Sequence, residues 1–278
     1  MAKTRDREEQ YRMAKRFVES ALRQDDSLFT PGIPVWSLEN LEDLSRRFLE
    51  NPDESADTFE NKLRRQLQGA PSRTVQLMGE VLYVHLLLPV PADFKGDTKR
   101  RIIRTILDWS TDRLAMPADL AQAFDQGLVR VGTAYNTYRP HQLHFLITLA
   151  RTWKSLSSEE REKALGDPWH FKSFVWSVPL QKAQSQREAV LHLVFPEVFE
   201  NIVSQNAKEQ IARSFAALVL EPVEDVDRQL AQIRRNLANK HGPEFSFYDE
   251  EIAPLWQMPD SGKWTQLIRW AKRFYELD

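Results

Sequence analysis

A chain of 278 residues, 42% hydrophobic and 28% charged, is long enough to bury a sizeable core. It has no cysteine, which excludes disulfides and thiolate metal sites and fits a reducing compartment. A formal net charge of −2 excludes a polycation built to coat nucleic acid, and 15 Phe with 8 Trp exclude a disordered chain.

The N-terminus, MAKTRDREEQ, is charged and has no apolar run of the signal-peptide kind. Tyr11, Ala14, Phe17, Val18, Ala21 and Leu22 recur at steps of three and four, the mark of an amphipathic helix. Leu38, Leu41, Leu44, Phe48 and Leu49 repeat the pattern, with Ser37 as N-cap and Pro52 beyond the end. A third helix runs from Phe59 to Leu67 and stops near Gly69 and Pro71. A fourth, Val75 to Leu88, is almost wholly apolar, so it is expected at the centre of the core. The longest apolar run, Val81 to Val90, contains His85 and is too short to span a bilayer, so no membrane contact is expected.

Val90 to Thr98 reads as a loop. Helices are then expected at Lys99 to Asp112, Pro117 to Val129 and Pro140 to Leu156. Ser158-Glu159-Glu160-Arg161 and Asp167-Pro168 each open another. Gln181 to Phe195, Asn206 to Leu220, Asp225 to Asn239 and Trp264 to Leu277 complete the set. The expected fold class is all-α: an irregular bundle of about a dozen helices with no regular repeat. The expected division is an N-terminal helical subdomain, 1–89, and a larger one, 90–278, or a single continuous domain. A further candidate boundary, His241 to Gly262, holds Phe245, Phe247, Tyr248 and Trp256, too aromatic for a free linker, so it is expected to pack against the body.

Chemistry is harder to place. The chain has no GxxxxGK[ST] or GxGxxG loop to cradle phosphates and no HExxH, and no cofactor is expected. His141 and His144 sit three apart on a helix, a spacing open to a metal, but no third ligand accompanies them, so no metal site is assigned. Glu80 and His85 lie in the most apolar helix. Burial there raises a carboxyl's pKa, which suits acid–base work, whereas pairing with a buried Arg is the structural alternative. No catalytic residue is assigned, and the chain is not expected to be an enzyme.

Two basic clusters are the candidate nucleic-acid contacts: Lys99, Arg100, Arg101 and Arg104 at one helix start, and Arg234, Arg235 and Lys240, with Arg228, on a late helix. The first crowds cations where the helix dipole disfavours them. Neighbouring acids, Glu224, Asp225 and Asp227, offer the alternative of a balanced solvated face. The run Trp169 to Trp176 could stack bases, although its helical spacing favours core packing.

Four segments in order carry a resemblance. They are DDSLFTPGIPVWSLENL (Asp25 to Leu41), FENKLRRQL with LMGEVLYVHLL (Phe59 to Leu67, Leu77 to Leu87), GDPWHFKSF (Gly166 to Phe174) and FPEVFENIVSQNAKEQI (Phe195 to Ile211). Together they resemble the region N-terminal to the motor domain in McrB-like AAA+ ATPases of bacterial restriction and antiphage defence. The resemblance implies a non-catalytic recognition or regulatory module, either a fragment or a stand-alone version of that region. It also implies a bacterial cytoplasmic setting, a downstream AAA+ ATPase domain and a partner nuclease as partners, and DNA or RNA as a candidate ligand. The alternative is a protein-interaction scaffold that binds the nuclease, the ring or a phage protein without touching nucleic acid. No reading residue carries over, because the matching motifs are core and turn positions.

Overall fold

The computed structural model describes residues 7–179 and 181–257. The chain is all-α. Among the described residues the only β contacts are two isolated bridges, Pro89 with Val129 and Arg130 with Ile202.

Helix α1 (Glu8–Arg16) runs into a π-helical turn, Phe17–Arg23, whose wide winding leaves the Ala21 and Leu22 carbonyls open. Lys154 Nζ donates to both carbonyls, and Trp153 Nε1 donates to Leu22 O at 2.9 Å. Helix α2 (Leu38–Phe48) begins as expected at Ser37, whose side chain accepts from Asn40 N. Helix α3 (Phe59–Gln66) precedes α4 (Ser72–Leu87), which is buried from Thr74 to Leu87. Helix α5 (Gly96–Leu107) folds back along α4, and Ser72 Oγ meets Thr111 Oγ1 at 3.0 Å where the hairpin closes.

One carboxylate organises the N-terminal half. Glu80, fully buried in α4, accepts from Ser27 Oγ, Leu28 N (2.8 Å), Phe29 N (3.2 Å), Trp36 Nε1 (2.7 Å) and Gln76 Nε2 (2.9 Å). Among the described residues no arginine pairs with it. Burial pushes its pKa up, and the hydrogen bonds from Ser27, Leu28, Gln76 and Trp36 pull the other way. Glu80 therefore fastens the segment 27–36 to the core.

The stretch Pro117 to Val129 departs from the expected single helix. It forms α6 (Ala118–Gln122), one 3-10 turn, Ala123–Asp125, and then an extended strip. The cause is tertiary. Leu128 N and Val129 N donate to Leu88 O, and Val90 N donates to Val129 O. At Gly127 a Cβ would lie 2.1 Å from Pro89 O, so only glycine lets the two backbones meet.

Helices α7 (Gly132–Thr137), which the sequence pattern did not suggest, and α8 (Arg139–Ser155) follow. Helix α9 (Ser158–Gly166) opens on a capping box between Ser157 and Glu160. Helix α10 (Pro168–Ser177) is capped by Asp167. Then come α11 (Gln184–Val194), α12 (Gln205–Ser214), α13 (Val226–His241, capped by Asp225) and a short, unanticipated α14 (Ala253–Gln257). The helix expected at Trp264 to Leu277 lies outside the described residues. No helix among the described residues is long and apolar enough to cross a membrane.

The apolar core runs without a break across residues 89/90, from Tyr11 to Val203. A second cluster, Ile202 to Trp256, includes Phe245, Phe247 and Trp256 from the aromatic segment after α13. The change of apolar cluster falls near residue 202, while α5 packs back on α4 across the loop Val90 to Thr98.

Candidate functional site

The two cores meet at a ladder of buried charges. Lys172 of α10 donates to Asp225 (2.6 Å) and to Asp227 (2.6 Å) at the start of α13. Asp227 also takes Lys208 of α12 at 2.7 Å, and Lys208 reaches Glu188 of α11 at 2.5 Å. Burial works against the Lys208 ammonium, but Glu188 and Asp227 outweigh it and hold its pKa up. Burial likewise works against Asp227, yet Lys208 and Lys172 keep its pKa low. Glu188 goes the other way: desolvation, reinforced by Asp227, pushes it up despite Lys208. Four helices are fixed by this ladder.

Above it opens a cleft of about 660 Å³ between α10, α12 and the start of α13. Helix α10 divides its side chains between core and cleft, with Trp169 on the border, its ring 5.3 Å from buried Phe199. Phe171 and Val175 enter the core, while Trp169, Ser173 and Trp176 line the cleft. The Arg228 guanidinium lies 4.1 Å over the Trp169 ring, and that of Arg187 lies 4.2 Å over Trp176. Three cations (Lys172, Arg213, Arg228) and three acids (Glu209, Glu224, Asp225) face the opening, so its charge balances. The aromatic run of the sequence is thus both core and surface, split by helical period.

The structure disperses the candidate basic residues. Lys99 is 0% exposed; its Nζ donates to Pro89 O and sits 5.6 Å over the Phe124 ring. Burial pulls its pKa down to about 7. Arg234 is 6% exposed, bound through Nε and Nη2 (2.7 Å) to Glu200 and through Nη1 to Phe245 O at 3.0 Å. Neither can meet a phosphate, which corrects their place among the candidate contacts: both fasten internal loops. Arg100 is engaged by Asp97 (2.8 Å) and Asp125 (2.7 Å). Arg101 is exposed, with Glu60 at 3.7 Å. Arg104, Arg235 and Lys240 are exposed.

The remaining candidates also resolve. His85 is buried, stacks on Tyr135 at 4.6 Å, and contacts Gln186 Oε1 through Nδ1 at 2.9 Å. Burial lowers its pKa to about 3. His141 and His144 line a second cavity of about 500 Å³ with Phe59 and Gln181. Among the described residues no three His, Cys, Asp or Glu side chains gather as a metal site. The run Trp169 to Trp176, open from the sequence to base stacking with core packing favoured, supplies the wall of the cleft, which the core reading did not reveal. Two Trp seven residues apart on a helix, with Ser173 between, were its signal.

Fold and cleft define an all-α protein with an aromatic, charge-balanced surface groove. Comparison with protein-family models, with curated proteins and with solved structures gives no match.

Proposed function

We propose that this chain is a non-catalytic interaction module of a McrB-like AAA+ restriction or antiphage defence protein, and that it recognises a protein partner through the cleft at Trp169 and Trp176. The observation that carries this reading is the cleft lining: two tryptophans on one helix face, with three cations balanced by three acids. Such a lining suits a neutral or mixed-charge protein segment better than a polyanion, whose binding rests on net positive charge. The resemblance adds the context. Its segments include the Asp25 to Leu41 loop and the Leu77 to Leu87 stretch of α4, which Glu80 ties together, and Gly166 to Phe174, which leads into the cleft wall.

The test is a phage challenge of bacteria carrying the intact system. Trp176→Ala with Arg213→Ala is expected to abolish protection while leaving the fold and the ring's nucleotide hydrolysis unchanged. Full protection by the double variant refutes the cleft's role. Hydrolysis of ATP or GTP by the purified chain refutes the non-catalytic reading.

Contact with nucleic acid is the second reading, favoured by the exposure of Arg101, Arg104 and Arg235. It requires single- or double-stranded DNA or RNA to bind at low salt, to weaken steeply as salt rises, and to be lost in Arg101→Glu/Arg104→Glu. No binding by the wild type at low salt removes it.

A further inference from the structure

The cleft offers donors that the fold leaves uncommitted. Trp36, Trp153 and Trp256 each direct the indole N–H inward, to Glu80, to the Leu22 carbonyl and to the Phe247 carbonyl. The indoles of Trp169 and Trp176 donate to no group among the described residues, and neither do the guanidiniums of Arg213 and Arg228, although Arg228 lies against the Trp169 ring. Four residues with uncommitted donors therefore line one groove, in which Arg228 covers one face of Trp169 and Arg187 lies over Trp176. Trp176, 37% exposed, is among the largest apolar side chains left open to solvent.

Spacing narrows the ligand. Trp169 and Trp176 are seven helical steps apart, so they share a face and their Cα atoms stand about 10.5 Å apart along the axis. A polyproline II helix repeats every three residues, about 9.3 Å, so residues at i and i+3 fall near the two rings. Its backbone makes no internal hydrogen bonds, and each proline has a carbonyl but no N–H. Such a segment is an acceptor without donors, the complement of the four uncommitted donors of this cleft. It is also uncharged, which matches the balanced lining, and its preformed geometry reduces the ordering entropy lost on binding.

We infer that the cleft between α10, α12 and α13 binds a proline-rich segment of a protein partner in the polyproline II conformation, with prolines against Trp169 and Trp176 and their carbonyls accepting from the indole and guanidinium groups. The inference rests on the reading of the cleft as a protein-recognition site.

The test uses the full chain, labelled with ¹⁵N at tryptophan, titrated with decaproline at millimolar concentration. The indole signals are assigned with Trp169→Phe and Trp176→Phe. Saturable shifts confined to Trp169 and Trp176 are expected, with none from a glycine–serine decamer. Trp176→Ala, an exposed site outside the core, is expected to weaken decaproline binding about tenfold or more without moving Tm. No shift with decaproline overturns the inference, as does an equal response to the glycine–serine peptide. Shifts produced by oligodeoxythymidine and not by decaproline overturn it in favour of base stacking. The titration is independent of the defence assay: decaproline binding by a chain whose variants still protect cells leaves this inference standing and removes the functional reading.

Discussion

Replacing Glu80 by Gln changes one oxygen for an NH₂ at the most heavily hydrogen-bonded point of the fold. Glu80 Oε1 accepts from Ser27 Oγ, Phe29 N and Gln76 Nε2, and Oε2 accepts from Leu28 N and Trp36 Nε1. If the new NH₂ takes the Oε2 place, Leu28 N and Trp36 Nε1 both lose their acceptor. If it takes the Oε1 place, the Ser27 hydroxyl loses its acceptor, because Ser27 Oγ already accepts from Phe29 N, Thr30 N and Gln76 Nε2 and cannot easily turn, while the Gln76 amide keeps Ser27 Oγ and Thr30 Oγ1. The first orientation leaves two buried donors unsatisfied and the second leaves one, at about 1–3 kcal/mol each. The neutral amide recovers part of this, since it avoids burying a carboxylate. A net loss of about 1 kcal/mol or more is expected from urea denaturation, together with faster hydrogen exchange at Leu28 and Phe29. A variant within about 0.5 kcal/mol of the wild type, with those amides still protected, would refute the anchoring role.

Other outcomes follow from the same geometry. Gly127→Ala drives a Cβ to 2.1 Å from Pro89 O, and is expected to cost about 3 kcal/mol or more, whereas Gly166→Ala, with open space around it, stays within about 1 kcal/mol of wild type; thermal melts decide. His85 and His192 are held by burial at about 3 and about 4, so below about pH 6.5 the unfolded chain takes up protons that the fold refuses. Their contribution is complete above pH 6.5 and is lost as pH falls toward those values, at roughly 1.4 kcal/mol per pH unit for each histidine. Urea midpoints from pH 7 to 5 should therefore fall less steeply for His85→Gln than for wild type, and equal slopes would show that His85 is protonated in the fold. Lys99, lowered to about 7, binds a proton in the unfolded chain up to about pH 10.4, so stability should rise from pH 7 toward 10 and Lys99→Met should flatten that rise. Lys208→Met leaves Glu188 and Asp227 buried without their shared cation, and about 3–5 kcal/mol should be lost in chemical denaturation; a loss under 1 kcal/mol would mean that the ladder is hydrated.

Much of the helical framework is legible in the sequence, because period and caps are local. Ser37, Asp167 and Asp225 begin helices where their side chains can accept from the next turn, and Val75 to Leu88 is buried because it is apolar all round. Three things had to wait for tertiary structure. The helix expected over 117–129 breaks because Gly127 must pass the Pro89 carbonyl, a contact between residues far apart in the chain. The cleft exists only where α10, α12 and the start of α13 converge. The fate of each cation depends on its helical face rather than on its cluster. Lys99 lies on the stripe of Ile103 and Ile106, and Arg234 beside Leu230 and Leu237, so both point inward to carbonyls and a carboxylate, while Arg101, Arg104 and Arg235 point out. A run of like charges records composition, but only packing decides whether a long cationic side chain ends in water or caps a buried oxygen.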